Sequence, residues 1–202
     1  GRFSTSTKKL DLTGGSELHV DDQSTIDGMD IYVGQDGVPS FVTMVGDTTG
    51  ANPSNTSMKG CDINVENNSI LTLDNVIVNS TGVTSKDSTV SILSPSGISF
   101  NTIDVTGSSL SITTYDTNAT SFVANSNVSF SSFGSSDSEV DLLVTGHISG
   151  GVDMNLVSTR VNAKFITFEI PGLTIREDSD VFVDFVSRTL PSGDDPGKPE
   201  FS

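Results

Sequence analysis

A short phrase recurs along this chain with nearly constant spacing, and it constrains the fold more than any other feature. Each copy begins with a small or polar residue and continues with two apolar residues that flank a polar one. The first apolar positions are separated by 19, 20 and 18 residues, and they are Leu71, Val90, Leu110 and Val128. Because the alternation is that of a β-strand, this fixed period predicts a solenoid whose coils stack and bury their apolar side chains against each other.

Further apolar pairs follow each phrase, and turn residues such as Gly82 and Gly107 separate them. Three short strands per coil are therefore predicted. The expected fold class is all-β: a right-handed single-stranded parallel β-helix of about eight to ten coils, with an irregular insertion and a C-terminal hairpin-like cap.

The β-helix domain is predicted to span residues 1–186. Gly and Pro recur in residues 34–60, which we expect to form a loop excursion from the solenoid. In residues 145–186 we expect a C-terminal cap region, because the apolar spacing falls to 12 between Val128 and Val140. Residues 187–202 lack apolar periodicity and are expected to be a flexible tail. A pair of tandem β-sandwich domains is the alternative architecture, but it would repeat its strands every 8 to 12 residues or so.

The charge of the chain excludes several classes of partner. The net charge is -16, from 26 acidic and 10 basic residues, and no Lys or Arg occurs between Asp87 and Thr159. Binding to nucleic acid or to an anionic membrane surface depends on cations, so neither is expected. Nor does any apolar run reach the length of a membrane span, and we expect no membrane insertion by this chain.

The sequence offers little catalytic or metal-binding chemistry. One Cys and two His lack the spacing of a zinc site, and the Gly-x-Ser-x-Gly elbow of a hydrolase is missing. We predict that Cys61 is a small buried apolar residue. Stacked Asp and Asn side chains at coil corners leave room for a weakly held structural calcium ion, and no other cofactor is expected. Three groups of acidic residues come closest to a catalytic site, but their alternation with apolar residues favours solvated strand faces. They are Asp21, Asp22, Asp27 and Asp30; Asp137, Glu139 and Asp141; and Asp178, Asp180 and Asp184 with Arg176 and Arg188.

Phrases such as Gly15-Ser16-Glu17-Leu18-His19-Val20 and Gly107-Ser108-Ser109-Leu110-Ser111-Ile112 resemble the passenger domains of bacterial autotransporter adhesins. The resemblance covers residues 8 to 186. It implies a parallel β-helix that is secreted or held at the bacterial cell surface, where such proteins contribute to adhesion, biofilm formation and virulence.

The predicted function is that of a non-catalytic adhesion or scaffold module. Its partner would be a host surface protein, matrix, a glycan or another copy of the chain, held through ladders of polar side chains. The expected contacts are residues 34–60 and a Ser/Thr/Asn-rich face at Thr113, Asn118, Thr120 and Asn127. The alternative is a β-helix that degrades or binds glycans, such as a fragment of a phage tailspike.

Overall fold

The computed structural model describes residues 2–3, 9–21, 23–46, 56–95, 98–114, 128–144, 147–151, 154–165 and 167–185. These residues form 23 β-strands and no helix. All strand pairs between successive coils are parallel. The predicted all-β class and the parallel β-helix are therefore confirmed.

The strands are arranged as eight successive coils. The first four coils are β1 (Arg2–Phe3), β2 (Lys9–Leu12) and β3 (Glu17–Val20); β4 (Thr25–Asp27), β5 (Asp30–Val33) and β6 (Phe41–Val45); β7 (Ser57–Lys59), β8 (Asp62–Glu66) and β9 (Ile70–Asp74); and β10 (Ile77–Asn79), β11 (Thr81–Lys86) and β12 (Thr89–Ser94). The last four are β13 (Ile98–Thr106) and β14 (Ser109–Thr114); β15 (Val128–Phe130), β16 (Phe133–Ser136) and β17 (Glu139–Leu143); β18 (His147–Gly150), β19 (Met154–Val157) and β20 (Arg160–Phe165); and β21 (Thr167–Glu169), β22 (Leu173–Arg176) and β23 (Asp180–Phe185).

The first, second and third strands of successive coils form three faces, here called the first, second and third face. In the fifth coil, the long strand β13 contributes to both the first and the second face. The strands of these two faces in the sixth to eighth coils therefore belong to one sheet. The third face is a separate eight-stranded sheet in the order β3-β6-β9-β12-β14-β17-β20-β23. Along its strands, alternate side chains point into the core, as the pleat of a strand requires.

The predicted apolar stack is confirmed for three of its four residues. Leu71, Val90 and Leu110 pair in register on the third face, and each is at most 1% exposed. The prediction for Val128 is wrong, because Leu110 pairs with Val140, 30 positions later, while Val128 lies on the first face. Apolar alternation occurs on every face, so a spacing near 20 does not by itself identify the face.

Two predicted irregular regions contain regular strands of the solenoid. In residues 34–60, β6 pairs with β3 and β9, and β7 pairs with β4 and β10, so these strands belong to the coils. Residues 47–55 of this interval lie outside the described residues. In residues 145–186, the described strands pair in parallel with the coil before them. This region therefore continues the solenoid, and the expected hairpin is not present among its described strands. The predicted tail at 187–202 lies outside the described residues.

The two longest connections between strands both join the third face to the first. The connection between β6 and β7 contains residues 47–55, and the connection between β14 and β15 consists of residues 115–127. Residues 47–55 and the 115–127 link lie outside the described residues, but the strands on either side keep their register with neighbouring coils. Insertions in solenoids collect where they disturb the stacking least, which is often beside the binding face.

A line of hydroxyl side chains marks the corner between the second and third faces. Each member precedes the first residue of a third-face strand, and together they form the corner hydroxyl ladder: Ser16, Ser40, Ser69, Ser88, Ser108, Ser138, Thr159 and Ser179. In four steps, a backbone N–H donates to the hydroxyl of the next coil at 3.0–3.1 Å. The residue before six of the eight members has a positive φ, which turns the chain sharply at this corner; these residues are Gly15, Asn68, Asp87, Gly107, Asp137 and Ser158.

Candidate functional site

The third face differs from the second in the side chains that it presents outward. The second face is mainly polar there, with residues such as Asp11, Asn64 and Asp104. The third face also exposes large apolar side chains, and these are Phe41, Ile70, Leu143 and Phe182. Scattered apolar residues are common on surfaces, but a face that combines them with ordered polar groups is a better candidate for binding.

A groove of about 530 Å³ lies on the third face across the fifth to eighth coils. We call it the third-face groove, and its outward lining residues are Ser111, Thr113, Asp141, Leu143, Asn162, Lys164, Phe182 and Asp184. They form two adjacent rows that run along the solenoid axis. One row is Ser111, Asp141, Asn162 and Phe182, and the other is Thr113, Leu143, Lys164 and Asp184.

Polar contacts fix the middle of both rows. Asn162 Nδ2 donates to Asp141 Oδ1 at 2.8 Å, so an amide from the seventh coil holds a carboxylate of the sixth. Lys164 Nζ lies 3.1 Å from Asp184 Oδ2 in an ion pair exposed to solvent. Such a pair adds little stability, but it neutralises two charges and orients both side chains. The lining residues then carry a net charge of about one negative unit at neutral pH.

Phe182 ends the first row with an uncovered ring. It is 59% exposed, the largest exposure among the large apolar side chains that the structure describes. Its neighbours on the same strand, Val181 and Val183, point inward. An aromatic ring beside hydrogen-bonding groups is typical of sites that hold a ligand with both an apolar and a polar surface.

Of the four contact residues predicted from the sequence, the structure places Thr113 in the groove. The other three, Asn118, Thr120 and Asn127, lie outside the described residues. They belong to the 115–127 link, which begins directly after Thr114 at the end of β14. The link therefore starts beside the groove, although the structure does not describe its path.

Sequence reasoning did not select Asn162, Lys164 or Phe182. The sequence indicates Asp141 and Asp184 only as members of acidic groups along the chain. The available signal was the outward position of Phe182 between two inward Val residues, and the coil spacing of 20 or 21 that brings the three strands together. The spacing of 20 or 21 residues relates the sixth, seventh and eighth coils, and the longer fifth coil interrupts the period before them.

The acidic groups do not converge on a catalytic or metal-binding centre. Among the residues that the structure describes, no three of His, Cys, Asp and Glu lie close enough to hold a metal ion. Asp180 and Asp184 point outward from β23, where Arg160 is the neighbour of the first and Lys164 of the second. Arg188 and Asp22 lie outside the described residues. No such group of side chains therefore supports, in the described part of the chain, the weakly held calcium ion for which the sequence leaves room.

Cys61 is buried, as predicted, at 1% exposure. Its Sγ lies 3.4 Å from the backbone oxygen of Lys59 and 3.7 Å from that of Ile26. Burial raises the pKa of the Cys61 thiol above its ordinary value, because the thiolate would lose hydration. A neutral, inaccessible thiol is a packing residue and not a nucleophile.

A second cavity, of about 230 Å³, lies inside the last coils and has an apolar lining. Three inward-pointing residues of the eighth coil remain largely exposed: Leu173 at 42%, Ile175 at 47% and Val183 at 41%. Their counterparts one coil earlier, which are Met154, Leu156 and Ala163, are at most 7% exposed. The cavity is therefore the uncovered end of the hydrophobic core among the described residues.

No protein-family model, no curated protein and no solved structure matches this chain. In the described ranges, no helix has the length and apolar character needed to cross a membrane.

Proposed function

We propose that this protein is a non-catalytic adhesion or scaffold module, secreted or displayed at a cell surface, that binds an extended partner along the third face. The observation that carries the proposal is the third-face groove, where two rows of outward side chains follow the solenoid axis. Successive coils repeat the contacts at intervals of about 4.8 Å. Many weak contacts at a fixed spacing give useful avidity to a repeating partner.

The position of the groove supports this proposal. Thr113 lies at its near end, and the 115–127 link with Asn118, Thr120 and Asn127 starts one residue beyond β14. Long links beside a regular face are common at the binding surfaces of solenoid proteins. Asp141, Asn162 and Lys164 are already oriented by contacts with neighbouring coils, so less side-chain entropy is lost on binding.

Two matched substitutions test the proposal. Thr113→Arg places a long charged side chain in the groove, whereas Thr84→Arg makes the same change at a half-buried outward threonine on the second face. Arrays of matrix proteins and glycans, and sedimentation for self-association, provide the probes. We expect Thr113→Arg to reduce binding at least about tenfold and Thr84→Arg to leave it unchanged. Equal effects of the two variants would contradict the assignment of the third face.

A second candidate function is the degradation of a glycan, and it rests on the presence of Asp141 and Asp184 in one groove. Their strands are two coils apart, about 9–10 Å along the axis, and their rows are two residues apart, about 6–7 Å along the strand, so their Cα atoms lie about 12 Å apart. The carboxyl groups of inverting glycosidases lie about 6.5–9.5 Å apart, so these two side chains would have to lean toward each other. Release of reducing ends from a bound polysaccharide, lost in Asp141→Asn, would favour this alternative over the non-catalytic module.

A further inference from the structure

We infer that the third-face groove binds an uncharged polysaccharide of pyranose units, with the sugar chain parallel to the solenoid axis and one ring over Phe182. This inference rests on the proposed function, since it names the class of ligand for the same groove. It follows from four properties of the groove: the direction of its rows, its hydrogen-bonding groups, its exposed ring and its charge.

The direction of the rows favours a ligand that runs from coil to coil. Asp141, Asn162 and Phe182 occupy equivalent positions in three successive coils. Each step along the axis is about 4.8 Å, which is close to the length of one sugar ring in an extended chain. Consecutive sugar rings can therefore contact consecutive side chains of one row while the polysaccharide chain runs straight along the solenoid axis.

The polar pair in the row offers the groups that sugar hydroxyls require. Asn162 uses one amide N–H to hold Asp141, so the second N–H and the amide oxygen are directed elsewhere. Asp141 accepts this bond at Oδ1 and presents Oδ2 as a second acceptor. A sugar diol both donates and accepts hydrogen bonds, and a carboxylate fixed beside an amide complements it. Because the amide already fixes the carboxylate, this complement exists before the ligand arrives.

The exposed ring supplies the apolar contact. One side of a pyranose ring carries C–H groups, which pack against the face of an aromatic side chain. Phe182 is 59% exposed and follows Asn162 in the row, so a sugar over its ring lies next to the polar pair. Leu143, 47% exposed in the adjacent row, lies two coils before Phe182 and offers a separate apolar contact near Asp141.

The charge of the groove argues against acidic polymers. Lys164 is held in an ion pair by Asp184, so the only cation among the described lining residues is already neutralised. Asp141 then leaves a negative charge in the groove of a chain whose net charge is -16. Uronate or sulfated polymers would be repelled, and uncharged sugars would not.

The backbone of the third face argues against a peptide partner. An added peptide strand gains most of its affinity from main-chain hydrogen bonds at a free sheet edge. β17 and β20 are instead paired on both sides, with β14, with each other and with β23. Among the described strands β23 has a free edge, but that edge faces the end of the solenoid and not the groove. A peptide on the groove would thus have to bind through side chains alone.

Affinity electrophoresis and calorimetry with the whole chain test the inference, using dextran, glucomannan and xylan as uncharged probes and polygalacturonate as the acidic probe. We expect at least one uncharged polymer to bind, and Phe182→Ala and Asn162→Ala each to weaken it about tenfold or more. Phe182→Tyr, which keeps the ring, should retain binding. Phe41→Ala is the matched control, because Phe41 is also an exposed aromatic residue of the third face but lies outside the groove.

The outcomes separate this inference from the proposed function. If polygalacturonate binds more tightly than the uncharged polymers, or if Phe182→Ala and Phe41→Ala bind equally well, the inference is wrong. If no polysaccharide binds but Thr113→Arg abolishes attachment to a matrix protein or self-association, the inference fails and the proposed function stands. Unchanged urea midpoints for the variants confirm that any loss of binding is not a loss of folding.

Discussion

Removal of one hydroxyl from the corner hydroxyl ladder should destabilise the protein strongly. Ser108 Oγ accepts a bond from the Ser88 backbone N–H at 3.1 Å, contacts Ser85 Oγ at 3.0 Å and donates to the Thr106 backbone oxygen at 2.8 Å. In Ser108→Ala the buried N–H of Ser88 and the buried hydroxyl of Ser85 both lose this partner. An unsatisfied buried group costs about 1–3 kcal/mol, so we expect a loss of about 3 kcal/mol in the free energy of unfolding.

Urea unfolding followed by circular dichroism measures this loss, and Ser109→Ala is the control. Ser109 is the next residue and the first of β14, but it points outward and is exposed, so loss of its hydroxyl should change stability by less than about 0.5 kcal/mol. A double-mutant cycle of Ser85→Ala and Ser108→Ala should give a coupling energy of about 1 kcal/mol, because both changes remove the same bond. If Ser108→Ala is no more damaging than Ser109→Ala, or if the cycle is additive, the ladder does not stabilise the coils as argued.

Three further predictions concern a turn, a thiol and a link. Gly34→Ala should destabilise the chain by about 2 kcal/mol or more in the same urea assay, because Gly34 has φ +79° and an added Cβ would meet Ser69 Oγ. Gly37→Ala is the control: Gly37 has φ +84° but lies in open space, so the change should cost about 1 kcal/mol. The folded state raises the pKa of the Cys61 thiol, so the neutral thiol contributes stability that is fully present below the unfolded-state pKa near 9.0. This contribution is lost as the pH rises through the folded-state pKa. The urea midpoint should therefore fall more steeply above pH 9 in the parent chain than in Cys61→Ala. Replacement of 115–127 by a short Gly/Ser turn should preserve the circular dichroism spectrum and weaken partner binding, and loss of the β-sheet signal would show that this link is part of the fold.

The architecture was predictable where the coils have uniform length. Leu71, Val90 and Leu110 lie 19 and 20 positions apart, and no insertion separates them, so spacing alone gave the correct stack. The 115–127 link then lengthens one coil, which moves Val128 to the first face and places Val140 beneath Leu110. The shorter spacing from Val128 to Val140, which suggested a terminal hairpin, is the distance between the first and third faces of a single coil.

The groove was less predictable, because its residues are neighbours across coils and not along the chain. Composition alone indicates Thr113, because it lies in a segment rich in Ser, Thr and Asn. The row of Asp141, Asn162 and Phe182 depends on the pairing of three strands, and no local pattern reveals it. An acidic residue in one strand and an amide in another become a site only when the register is known.

The corner hydroxyl ladder has a direction. In every step of it described above, the donor belongs to one coil and the acceptor to the coil that follows in the chain. Any coil with a ladder hydroxyl can therefore replace any other. Its hydroxyl accepts a hydrogen bond from the coil before it, and its backbone N–H donates one to the coil after it. Recombination could duplicate or delete whole coils without a change in the hydrogen bonds of the corner hydroxyl ladder. The number of coils in such a solenoid is therefore free to vary in evolution while its cross-section stays constant.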